Sequence, residues 1–145
     1  MTIHLVKLCV GIDDVEELAA WQARRAKQRK AAGERHLCIH RTRMSPKRAD
    51  ELLDGGSIYW VIKGVVRVRQ QLKGLDAGTM DDGTPCAVLV LARKLVRTMP
   101  KPMRPFQGWR YLDPKDAPAD IGEGGAEIAR MPSAMVDELR SLGLL

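Results

Sequence analysis

Aromatic side chains make up only 4% of this 145-residue chain. A core must therefore be built mostly from Leu, Val, Ile, Met and Ala, and each aromatic needs a placement of its own. Cysteine is sparse as well. Cys9, Cys38 and Cys86 are odd in number, far apart and without CxxC spacing, which argues against a disulfide framework and for a reducing, cytoplasmic setting. No run approaches the roughly 20 apolar residues of a membrane span. The apolar opening from Ile3 to Ile12 is broken by Lys7 and followed by Asp13-Asp14, the wrong shape for a signal peptide. Neither a membrane partner nor a leader is expected. Also missing are GxSxG, a P-loop, GxGxxG and HExxH, so no motif nominates a catalytic residue or a cofactor.

Acids are missing where bases gather. Trp21 to Leu75 holds fourteen basic residues against Glu34, Asp50, Glu51 and Asp54, and Gly83 to Leu112 holds six basic residues and no acid. Beyond Leu112 the balance turns acidic, while the whole chain carries +6. Such asymmetry points to an anionic partner.

The elements read as one α+β domain with a mixed, mainly antiparallel sheet. Ile3 to Val10 is expected as a buried strand, followed by a helix capped by Asp13 with Glu16 at the capping-box position. Arg35 to Met44 is a second strand, and Ser45-Pro46 opens a short helix whose inward residues are Ala49, Leu52 and Leu53. Ser57 to Ile62 and Val65 to Leu72 are strands around a bulge or bend at Gly64. Pro85 to Ala92 and Gly108 to Leu112 are further strands. Residues 113–131 read as a surface excursion and 132–145 as a terminal helix.

The runs HRTRMSPKRADELLDGGSIYWVIKG, VRVRQ and RPFQGWRYL, with the opening IHLVKLCVG, resemble an alphaproteobacterial family catalogued as domain of unknown function 1489. That resemblance spans nearly the whole chain and implies no activity. In element order, a helix closed by a glycine turn and then the strand IYWVIKG, the chain also resembles the PUA-like superfamily (ASCH, EVE, YTH). This second resemblance implies a small barrel flanked by helices that binds RNA or modified bases.

Alternation in VVRVRQQLK predicts Arg67, Arg69 and Lys73 on one strand face opposite Val66, Val68 and Leu72, with neighbours roughly 6–7 Å apart. A comb of that spacing follows phosphates, and Arg41, Arg43, Lys47, Arg48 and Lys63 extend it. The competing reading is a solvated basic face. Tyr59, Trp109 and Tyr111 are candidate stacking surfaces for unpaired bases, with Arg110 contacting base or phosphate, although core packing is the simpler role for Trp60 and Trp109. His36, Cys38 and His40, with His4, resemble a zinc set only in residue type, because ligands two apart on a flat strand do not converge; no metal is expected. The expected function is binding of RNA or another nucleic acid. One alternative is a small enzyme or binder of a phosphorylated, nucleotide-like metabolite around Lys63, Arg43 and Arg110. Another is a protein-interaction module whose acidic C-terminal segment covers its own basic sheet.

Overall fold

The computed structural model describes residues 1–121, so the expected terminal helix at 132–145 lies outside the described residues. The chain runs β1 (His4–Leu8), α1 (Val15–Ala31), β2 (Ile39–Thr42), α2 (Ala49–Leu52), β3 (Ser57–Ile62), β4 (Val65–Thr79), β5 (Pro85–Leu91), β6 (Val96–Pro102) and β7 (Trp109–Leu112). The strands join in one sheet of order β2-β5-β4-β3-β1-β7, with β6 also on β4. Among the described residues only β1 and β3 pair in parallel, so the sheet is mixed and mainly antiparallel, as the pattern predicts.

Helix α1 starts one residue later than expected. Asp14, not Asp13, accepts the Glu17 amide at 2.7 Å, while Glu17 reaches back to the Asp13 amide at 3.1 Å. This phase turns Val15 and Leu18 into the core. Helix α2 likewise starts at Arg48 rather than at Ser45-Pro46, because the amides of Lys47 and Arg48 donate instead to the Tyr111 hydroxyl at 2.9 and 3.1 Å. Of its expected inward residues, Leu52 is fully buried and Leu53 is exposed.

Lys63-Gly64 is a two-residue turn, not a bulge. Ile62 pairs with Val65 and both turn residues have positive φ, 50° and 79°, the type I′ geometry that matches strand twist. The bulge lies at Arg67, since Trp60 faces Val68 and Val61 faces Val66. One extra residue resets the alternation. Val68 therefore packs on the inner face with Leu5, Ile58, Trp60, Ile62, Leu72 and Leu89 beneath α1, whereas Val66 packs on the outer face with Val6, Tyr59, Val61 and Leu112. Cover on both sides explains why every residue of β3 is buried.

Gln70 shares the inner face and has no exposed surface. Its amide oxygen accepts from the Trp60 indole at 2.9 Å and from Gln22 at 2.8 Å. Its amide nitrogen donates to Gln22 and to the Ala92 carbonyl, both at 2.9 Å. Helix α1 is thereby tied to the sheet at its centre.

The sheet is not a closed barrel, correcting that alternative. Its end strands β2 and β7 do not pair among the described residues. Side chains bridge the gap instead: Trp109 donates to the Met44 carbonyl at 2.8 Å, and Tyr111 holds the two amides noted above. No described helix is long and apolar enough to cross a membrane.

Replacing Gln70 by Leu should cost about 2–4 kcal/mol, because buried donors and acceptors left unpaired each cost ~1–3 kcal/mol. Urea unfolding followed by tryptophan fluorescence measures this. An unchanged midpoint would remove Gln70 from its anchoring role.

Candidate functional site

The basic comb is not formed. Arg67 is the bulged residue and only 8% exposed, with its guanidinium pKa lowered by desolvation. Arg69 donates two hydrogen bonds of 2.7 Å to the carboxylate of Asp120 and one of 3.0 Å to Ser57 Oγ. That charge-assisted pair raises the Arg69 pKa and lowers that of Asp120. Lys73 is exposed at a second bulge, between Leu72 facing Leu91 and Gly74 facing Val90. Two bulges thus scatter what a regular strand would align.

The flanking candidates are dispersed as well. Arg41 and Arg43 face Asp81 and Asp82 of the β4–β5 turn at 3.3 and 3.9 Å, and Arg48 is paired with Glu51. Lys47 is exposed in the loop before α2. Lys63 stands on the exposed hairpin turn, 3.6 Å from Asp13, rather than in an apolar pocket. Tyr59 is buried on the outer face, edge-on to His4 at 5.1 Å. Trp109 and Tyr111 meet edge to face at 4.8 Å and brace the loop after β2, while Arg110 lies over Phe106 at 4.9 Å on the opposite side. They make no single open stacking platform. His36 approaches Asp76, Cys38 lies against Gln70 and His40 turns to Trp60; no group of three potential metal ligands converges among the described residues.

The structure instead gathers a different set between α1 and the inner face, around a cleft of about 490 Å³. Lys7 stands opposite Trp60 of β3 and Trp109 of β7 in register, so its side chain shares their face. His40 comes from β2, and its ring meets Trp60 edge to face at 5.1 Å. The far wall is α1, which contributes Glu17, Trp21, Gln22 and Arg24. Trp21 is 41% exposed, much for an indole on a helix face that leads to the core, and Arg25 stacks on it at 5.6 Å. Arg41 and Cys9 complete the polar lining.

Burial sets the electrostatics of this cleft. Desolvation, then the charge of Lys7, pushes the His40 pKa down to about 4, so its imidazole is neutral at physiological pH. Its Nε2 is buried without a hydrogen-bond partner among the described residues, an unsatisfied polar atom beside the cleft. Desolvation also lowers the Lys7 pKa, and no side-chain ion pair or hydrogen bond of Lys7 occurs among the described residues. Burial, then Glu17, pushes the Cys9 thiol up to about 11, which leaves it an inert thiol.

Residues 5–145 match the family described as Protein of unknown function (DUF1489). The chain belongs to that family. No curated protein and no solved structure matches it.

Within this DUF1489 chain the sequence signals for the cleft are faint but present. Lys7 has the strand parity of the inward Leu5, and Trp21 lies three residues beyond the inward Leu18. Gln70 has the parity of Val68 and Leu72. A lysine, an indole and an amide at inward positions mark a polar cavity.

Because His40 and His4 both titrate below their ordinary value when folded, the unfolded chain binds more protons in that range. Stability is therefore full above about pH 6.5 and falls as pH drops toward 4. Urea midpoints at intervals across this window should decline for wild type and decline less for His40→Phe. Parallel slopes would show that His40 is not held neutral.

Proposed function

We propose that the protein binds a nucleotide, either as the free molecule or as an unpaired residue of RNA, with the base in the cleft under α1. The observation that carries this reading is the cleft's composition. Two indoles, Trp21 and Trp60, and a neutral imidazole with an unpartnered nitrogen surround a space of about 490 Å³. A planar heteroaromatic ring offers the faces that indoles stack on. Lys7, Arg24 and Arg41 against Glu17 make the lining cationic, which suits an attached phosphate. The resemblance in element order to PUA-like proteins, which bind RNA or modified bases, points the same way. Three free thiols suit a cytoplasmic setting, where such ligands are found.

This reading moves the ligand away from the strand comb. Phosphate contacts by Lys47, Lys73 and Arg110 on the exposed surface would then extend an RNA beyond the cleft rather than define its site.

Tryptophan quenching by AMP, UMP and a single-stranded oligoribonucleotide, beside duplex DNA and over a salt series, tests the proposal. Trp21→Ala should weaken binding roughly tenfold or more, as stacking contributes ~1–3 kcal/mol per base. Tighter and more salt-dependent binding of the oligomer would identify RNA as the source, while equal affinity for mononucleotides would identify the free molecule. Absence of quenching by all three, or binding indifferent to Trp21→Ala, would overturn it.

A further inference from the structure

We propose that Lys7 is a reactive amine, capturing the carbonyl group of a small aromatic aldehyde or ketone with an anionic substituent and holding it in the cleft as an imine. The proposal shares the cleft with the nucleotide reading and assigns it a covalent step.

Four observations carry it. The Lys7 side chain issues from the penultimate position of β1 onto the inner face, in register between Trp60 and Trp109. Among the described residues it has no counter-ion and no hydrogen-bond partner, whereas Lys63, Arg41, Arg43 and Arg69 each face a carboxylate. The cleft it lines has room for a substituted aromatic ring. In the same cleft His40 keeps one buried nitrogen unpartnered, and the charge of Lys7 acts on that ring. Partial burial lowers the Lys7 pKa, which favours the neutral amine, a nucleophile.

The chemistry balances without a further reactant. The Lys7 nitrogen attacks the carbonyl carbon; the new C–N bond forms as the C=O π pair moves to oxygen, which takes up a proton while nitrogen loses one. The C–O bond of this carbinolamine then breaks, oxygen leaves as water after a second protonation, and the nitrogen lone pair closes the C=N bond. One amine and one carbonyl give one imine and one water. Solvent water carries the proton from nitrogen to the departing oxygen.

Facing Lys7 are Cys9 at the end of β1, Glu17 and Arg24 of α1, and His40 and Arg41 of β2. Burial is what lowers the Lys7 pKa. The test uses pyridoxal 5′-phosphate as the probe, a phosphorylated aromatic aldehyde, followed by borohydride reduction and peptide mass spectrometry. The expected result is one adduct, on Lys7, at a reagent level that leaves exposed Lys47 and Lys73 unlabelled. It should persist at lower pH than labelling of those lysines. Lys7→Arg and Lys7→Met should each abolish the adduct while retaining a folded circular dichroism spectrum. Adducts spread over the exposed lysines, or unchanged in either Lys7 variant, would overturn the proposal. AMP binding without a Lys7 adduct would sink the imine and leave the nucleotide reading intact; an adduct that excess AMP does not block would do the reverse.

Discussion

Gln70 has no exposed surface, so both ends of its amide must find partners inside the protein. The carbonyl of Ala92 can only accept and the indole of Trp60 can only donate, and this pair of demands fixes which end of Gln70 points where. Once oriented, Gln70 leaves one donor and one acceptor for Gln22, which completes a reciprocal amide pair and sets helix α1 against the sheet. Trp60, held by its nitrogen, presents its ring to His40. The two walls of the cleft and the imidazole between them thus share one buried amide. Such a network is cooperative: loss of any member leaves the others unpaired in a low-dielectric interior.

The bulge at Arg67 has the opposite kind of effect, separating what the pattern would join. By adding a residue opposite the Trp60–Val61 step, it sends Val66 outward and Val68 inward, so both faces of the central sheet acquire an apolar cluster. The outer cluster needs cover, which the chain after β7 supplies: Ala117 packs on it, Asp120 bridges to Thr98 of β6, and the Asp120 carboxylate meets Arg69. Of the acids after Leu112, Asp120 is thus paired with Arg69 on the outer face.

Much of the fold is legible in the sequence, and the misreadings have identifiable causes. Ser57–Ile62 is bounded by glycine turns and reads correctly to the residue. Strand β4 runs seven residues beyond its expected end because LKGLDAGT has turn-like composition, yet β5 offers a continuous apolar partner from Cys86 to Leu91. Gly78 is needed there: a Cβ would sit 2.7 Å from Val88 Cγ2. Tertiary pairing overrode local preference. The comb failed for a related reason, since period-2 reasoning assumes an unbroken ladder and nothing in VVRVRQ announces an extra residue. The cleft is hard to read in the sequence because its members are single polar residues in apolar company, brought together from β1, α1, β2 and β3 only by the fold.

These two features, the buried amide and the covered bulge, together place the unbalanced charge. On the outer face Arg69 is matched by Asp120, and along the β4–β5 turn Arg41 and Arg43 approach aspartates at the surface, where such pairs add little stability. On the inner face Lys7 has no match among the described residues, and its field helps to keep His40 neutral. An anion entering the cleft would ease both conditions at once, supplying Lys7 with a counter-charge and weakening the field on His40. Loss of the Lys7 proton would also weaken that field. Ligand binding and proton binding at these two side chains are consequently linked, so occupancy of the cleft should be read together with its protonation.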